Sequence, residues 1–337
     1  MKIEMKICLG LFVFLLGAAV LTSCDKEDEE ETMGDWIKMS DFDGYPRCDA
    51  VAFTIGNLAY VGTGYDGEKR MSDFWEYNPD KNYWTQKANF PGPARNGAVA
   101  FAIGSKGYVG TGYDGTNRMN DFYEFDPSTN TWKKKANFIG SERYGAVGFS
   151  LGDKGYIGTG YDGIYQKDFY SYSPSSDTWT KIISIGGSKR RDANAFTING
   201  KAYVVSGLDN GSYLTDLWEF DPATGEWTKK REIYDKSDEK YDDDYANIAR
   251  ISAATFTIGG KGYLTLGSSS SLLSTTWEYN PATDLWKELT SFEGTIRTEA
   301  VGFGIGNYGY VATGRSSSYY LDDIWRLDPT LVYDADN

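Results

Sequence analysis

The hexapeptide Gly-Thr-Gly-Tyr-Asp-Gly occurs three times, at residues 62–67, 110–115 and 158–163, and weaker copies centre on Gly207, Gly267 and Gly314. Such a period means stacked copies of one small unit, none of which can bury its apolar face alone. Two further landmarks keep step with it. Arg47, Arg95, Arg143, Arg190, Arg250 and Arg297 each precede the second glycine of their motif by 17 residues, and Trp84, Trp132, Trp179, Trp227 and Trp286 follow the first five of those glycines by 19 or 20. The sixth unit lacks this Trp. The missing one is Trp36, which lies 11 residues before Arg47, the interval that also separates Trp84 from Arg95 and Trp286 from Arg297. The chain therefore starts with the last part of a unit and ends with the first three parts of another. A closed ring satisfies both ends and leaves no open sheet edge between them.

Within a unit the signals are all β. Ala50 to Ile55 reads as a first strand with small residues suited to a crowded axis, Gly56-Asn57 as a turn, and Ala59 to Gly64 as a second strand. Phe74 to Tyr77 reads as the third strand and Tyr83 to Lys87 as the fourth, with Asn78-Pro79 between them. The expectation is an all-β, six-bladed β-propeller with four antiparallel strands per blade, closed by Asp35 to Met39 in the last blade. These residues resemble the Kelch family: an Arg before the first strand, a glycine pair after the second, an aromatic in the third (Trp75, Tyr123, Tyr170, Trp218, Trp277, Trp325) and a Trp in the fourth. The resemblance covers residues 35–329. It departs from the family where Gly-Gly is expected: four units have Thr-Gly, one has Ser206-Gly and one Leu266-Gly. A backbone that needs glycine only at the second position tolerates this.

The N-terminus has Lys2 and Lys6, then an apolar stretch from Ile7 to Leu21, too short to cross a bilayer comfortably. Leu21-Thr22-Ser23-Cys24 resembles a bacterial lipobox, which implies a signal peptide at 1–23 and lipidation at Cys24. Residues 24–34, with the run Asp25 to Glu31, then read as a solvated acidic tether. The run also resembles the signal that sends some lipoproteins to the outer face of the outer membrane. The expected location is the outer membrane, surface-exposed or otherwise facing the periplasm, with the membrane touched through the lipid alone. Residues 330–337 form a C-terminal tail. Loss of Lys2, Lys6 and Glu4 with the signal would take the net charge from −14 to −15, which argues against nucleic acid as a partner. Of three cysteines only Cys48 lies in the propeller, so neither an internal disulfide nor a Cys-based zinc site is expected.

The residue before the first strand and the residues after the second emerge on one face, beside the channel mouth. Candidate ligand-binding residues there are Arg47, Arg95, Arg143, Arg190, Arg250, Arg297 and Arg315, with Tyr65, Tyr113 and Tyr161. Asp66, Asp114, Asp162 and Asp209 are placed to neutralise four of the arginines locally. Blades five and six carry Ser269 and Ser316 instead, so that either local pairing still serves all six arginines or Arg250, Arg297 and Arg315 form a cationic sector open to a carboxylate or phosphate. Glu299 and Asp49 are further candidate partners. Arg250 follows Trp227 by 23 residues where the other intervals are 11, so 12 are inserted near Tyr234 to Tyr245. A loop of this kind on a rigid scaffold is either a specificity element or a solvated insertion. Its aspartates lack the spacing of a calcium loop.

The chain contains no His. This removes His-based nucleophilic sites, His general bases and most catalytic zinc or copper centres. The copper site of the Kelch-type galactose oxidase, with its His ligands, has no counterpart, and no metal or cofactor is implied. The leading expectation is a non-catalytic module that binds a protein or glycan at the channel-mouth face. The alternative is a metal-free carbohydrate-active enzyme, similar to the Kelch-type sialic-acid mutarotases. A deep polar mouth with a carboxyl of raised pKa favours the enzyme and a shallow face with aromatics favours the binder. A mouth plugged by ion pairs favours a purely structural role.

Overall fold

A computed structural model describes residues 32–317 and 319–334. The expected signal peptide, Cys24 and most of the acidic tether lie outside the described residues. Six four-stranded antiparallel sheets are present, and among the described residues there is no helix. The inner strands are Val51–Ile55, Val99–Ile103, Val147–Leu151, Asn194–Ile198, Ala254–Ile258 and Val301–Ile305. The sixth blade takes its outer strand from the start of the chain: Asp35–Lys38 pairs antiparallel with Ile324–Asp328, with Trp36 opposite Leu327.

The alternation of the inner strands decides their orientation. Val51 and Phe53 are buried against the neighbouring blade, while Ala52 and Thr54 face the channel. The phenylalanine of one blade needs a hollow in the next, and the second strands supply it. A Cβ at Gly107, Gly155, Gly262 or Gly309 would stand 2.0–2.3 Å from the ring of Phe53, Phe101, Phe196 or Phe256. Glycine there is a packing requirement, because interiors of this density leave no slack for an extra carbon. The outer Trp residues join blade to blade in the same way. Trp132 Nε1 donates to Ala88 O at 2.8 Å and Trp179 Nε1 to Ala136 O at 3.1 Å. Trp36 Nε1 repeats the contact between blades six and five by donating to Thr290 O at 3.4 Å, and its ring meets Phe292 edge-on at 4.9 Å.

Closure has a second signature at the axis. The residue two places after each ring arginine takes a left-handed conformation: Asp49, Gly97, Gly145, Asp192, Ser252 and Glu299 have φ between 51° and 62°. Each of these N–H groups donates to the carbonyl of the preceding blade's equivalent, and Asp49 N completes the circuit by donating to Glu299 O at 2.9 Å. Six backbone hydrogen bonds thus form an unbroken ring around the channel mouth.

The insertion folds against the flank of blade five. Ile233, Tyr245 and Ile248 are buried in the core shared by blades four and five, and the Tyr245 hydroxyl accepts the Trp286 N–H at 2.7 Å. Asp242 is committed within the loop, accepting from Lys236 N, Ser237 N and Ser237 Oγ. Asp235, Asp242 and Asp243 are the only described group of carboxylates close enough to share a cation.

Candidate ligand site at the channel mouth

All six ring arginines are fully buried, at 0 % exposure. Each sends Nε to the carbonyl two residues upstream and Nη1 to the carbonyl sixteen residues downstream, which ties the entry of the inner strand to the end of the second. Their counter-ions are not the aspartates expected. Arg47 grips Asp73 through two bonds of 2.7 Å, and Arg95, Arg143, Arg190 and Arg297 grip Asp121, Asp168, Asp216 and Asp323 in the same forked way. Burial opposes the charge on Asp73 and Asp323, but the arginine hydrogen bonds outweigh it and hold both carboxyls below their ordinary range. Asp66, Asp114 and Asp162 cap their own loops instead, the first two accepting backbone N–H groups two and three residues on and Asp162 the one two residues on. Asp209 takes the amide of Asn210. The expected cationic sector of Arg250, Arg297 and Arg315 is likewise not formed: Arg250 and Arg297 lie beneath the surface, and Arg315 is held by Glu299 at 2.7 and 2.9 Å.

The surface is made by the residues just after each ring arginine. Cys48, Asn96, Tyr144, Arg191, Ile251 and Thr298 pair with Tyr65, Tyr113, Tyr161, Leu208, Ser268 and Arg315, which places both loops on one face, as the strand directions require. Inside them, Asp49, Asp192 and Glu299 line a cavity of about 120 Å³ with the small residues of the remaining blades. Burial raises Asp49, and the negative charges of Glu299 and Asp192 add to it, so that its carboxyl is pushed up to about 7. Burial also raises Asp192, which the Arg191 guanidinium only partly offsets, to about 6. Asn96 Nδ2 donates to Asp49 Oδ2 at 2.9 Å, and Arg70 Nε donates to Asn96 Oδ1 at 2.6 Å.

Tyrosines and arginines interleave around one side of this mouth. Arg70 lies between the rings of Tyr65 and Tyr113, at 5.0 and 4.9 Å. The series continues through Tyr144, Tyr161 and Tyr165, whose successive ring centroids are 5.4–5.7 Å apart. Arg118 and Arg191 both meet the Tyr161 ring, at 5.3 and 5.6 Å. Arg70 bonds to Asn96, whereas the Nε of Arg118 is buried without an acceptor, because Tyr144 stands where Asn96 stands one blade earlier. Tyr65, Tyr113, Tyr161 and Arg315 are thus gathered at the mouth as expected, while Asp192, Arg70, Arg118, Arg191 and Tyr144 emerge only here. Their signal in the sequence is positional: they vary at places where the rest of the unit repeats.

Six four-stranded blades, arginine spokes and blade-joining tryptophans define a β-propeller, and the chain is a Kelch-repeat propeller. Residues 32–189 match the KLHDC2/KLHL20/DRC7 Kelch-repeats domain, and residues 189–232 match the Kelch motif. The solved structure of YjhT is similar in fold, with a TM-score of 0.72 at 15 % identity over 85 % of this chain and 95 % of that one. No curated protein matches the sequence.

Proposed function

We propose that this propeller is a binding module that recognises a glycan at its channel-mouth face, displayed on a lipid tether at Cys24. The observation that carries this reading is Arg118: a guanidinium set against a tyrosine ring that a second guanidinium also meets, with a buried N–H that no protein group accepts. An unmade bond of this sort costs free energy that an acceptor-rich ligand recovers. Sugar hydroxyls and carboxylates are such acceptors, and the neighbouring tyrosine rings suit the apolar face of a sugar. The 120 Å³ mouth is well below the ~300–1,000 Å³ of sites that enclose a small ligand, which favours surface recognition over engulfment.

A second reading, an enzyme resembling the sialic-acid mutarotases, is favoured by Asp49 and Asp192. Burial raises both carboxyls toward neutrality, Asp49 to about 7 and Asp192 to about 6, the range that suits a group exchanging protons with a sugar hydroxyl. Titration of the protein against neutral and acidic glycans, with anomer exchange followed by NMR on each that binds, separates the readings. The module predicts binding without faster exchange. Faster exchange, lost in Asp49→Asn, establishes the enzyme. Binding to no glycan contradicts both and turns the search to protein partners.

A further inference from the structure

A cavity of about 650 Å³ lies over blade one, off the axis and beside the mouth, with Arg70 belonging to the walls of both. It runs above the third strand of that blade, between the segment entering the blade and the one leaving it. Its size falls in the range of small-ligand sites, roughly 300–1,000 Å³. Trp75 and Tyr45 supply its aromatic surface, and Asp43, Lys69, Gln86 and Asn89 its polar groups.

The aromatic surface is rigid. Trp75 donates its indole N–H to Asp73 Oδ2 at 2.7 Å, the carboxylate that also grips Arg47, and meets Phe42 edge-on at 5.7 Å. The backbone of Tyr45 is fixed by its carbonyl, which accepts Arg47 Nε at 2.9 Å, and Lys69 Nζ rests 4.7 Å from its ring centre. The ring is nevertheless 63 % exposed. Asp43, Gln86 and Asn89 are exposed, and among the described residues none of their side chains has a hydrogen-bond partner.

The fold does not require these residues. At the place of Tyr45, two before the ring arginine, the other blades have Pro93, Ser141, Ser188, Ile248 and Thr295. At the place of Gln86, two after the outer Trp, they have Lys134, Lys181, Lys229, Glu288 and Lys38. Blade one alone combines a projecting aromatic with a neutral amide where its sisters carry charge. A structural residue would recur with the repeat, whereas a ligand-binding residue breaks the symmetry.

We propose that the groove over blade one binds a neutral oligosaccharide, whose apolar faces stack on Trp75 and Tyr45 while Asp43, Gln86 and Asn89 take its hydroxyls. Two flat rings beside unpaired amides and one carboxylate match the alternation of C–H faces and hydroxyl edges on a pyranose. The groove shares Arg70 with the mouth, but none of the contacts proposed here is a mouth residue. The test titrates the full chain with a panel of neutral trisaccharides (cello-, malto-, xylo- and mannotriose) by calorimetry. At least one binds, and Tyr45→Ser, the residue of blades three and four, weakens it by about tenfold or more without lowering the melting temperature. Gln86→Lys weakens it too, while Arg191→Ala leaves it unchanged. Absence of binding to the whole panel overturns the proposal. So does binding that survives Tyr45→Ser and is lost in Arg191→Ala, which would place the sugar at the mouth.

Discussion

Thr275 occupies the place that an aspartate holds in the other five blades, and Arg250 in consequence has no carboxylate in its grip. Its guanidinium is satisfied by Thr275 Oγ1 at 2.7 Å and by the carbonyls of Ile248, Leu266, Thr275 and Asn247. The indole N–H of Trp277, which in blades one, four and six reaches that aspartate, has no acceptor. Burial lowers the proton affinity of Arg250, and Glu288, the one nearby counter-charge, is itself raised by burial. Thr275→Asp should therefore stabilise the protein by about 1–3 kcal/mol, read as a higher urea midpoint with unchanged slope. The reverse change in blade two, Asp121→Ala, strands Arg95 and should cost about 3–5 kcal/mol. A neutral or destabilising Thr275→Asp would show that the carbonyl cage already meets the need of Arg250.

Trp36 joins the two ends of the chain. It is fully buried between Phe292 and Phe256 and donates across the blade-five junction. Trp36→Ala should cost about 3–5 kcal/mol. Trp227, equivalent in blade four but partly exposed, should lose less on the same change. Equal losses would mean that closure contributes nothing beyond ordinary core packing.

Asp49 gives stability a distinctive pH dependence. The folded protein keeps its proton up to about 7, whereas the unfolded chain releases it near the ordinary 3.8. Between those values the folded state binds the extra proton, so this group makes stability fall as pH rises through the window and level off above it. Asp192 acts likewise up to about 6. The facing groups, Asn96 and Arg315 on the favourable side and Glu299 and Asp192 on the other, leave that sign unchanged. Asp49→Asn should raise the melting temperature by a few degrees at pH 8 and by much less at pH 5. A gain independent of pH would show that Asp49 is not protonated in the folded state.

The repeat, the four-strand blade and the ring closure were all legible in the sequence, because periodic spacing reports topology directly. Trp36 and Asp35 to Met39 were readable as the missing strand for that reason. The arginine partners were not: Asp66 and its equivalents adjoin the glycine motif, but an Asp there serves the turn. The aspartates that matter stand 26 residues after their arginines, or 25 in blade three, immediately ahead of the third strand. That spacing was visible, but only three dimensions show that the third strand begins beneath the arginine. The mouth was partly legible: Tyr65, Tyr113, Tyr161 and Arg315 lie there. Arg118 and Arg191 matter because of what they fail to bond, which no spacing reveals.

The first position of the pair, like the second, takes a left-handed backbone. Thr63, Thr111, Thr159, Ser206, Leu266 and Thr313 have φ between 57° and 62°, a region costly for side chains and most of all for β-branched ones. Thr111 adds a buried hydroxyl with no partner, while the Thr159 hydroxyl accepts Val147 N at 3.3 Å. Relief of strain and removal of the orphaned hydroxyl should outweigh the greater chain entropy of glycine and the absence of the methyl group, so Thr111→Gly should stabilise by about 1 kcal/mol. Thr159→Gly should gain less. Destabilisation by Thr111→Gly would show that packing of the threonine methyl dominates.

The reading of the mouth as a glycan-binding face is tested most directly by calorimetric titration of the full chain with neutral and acidic glycans, repeated with Arg118→Ala and Arg191→Ala. The Arg118 side chain forms no ion pair or hydrogen bond within the protein among the described residues, so its loss should lower the melting temperature only slightly, by what the Tyr161 ring contact contributes. The prediction is that an acceptor-rich glycan binds the wild type and that both variants weaken it about tenfold or more. A glycan affinity indifferent to both arginines, or no glycan affinity at all, would contradict it.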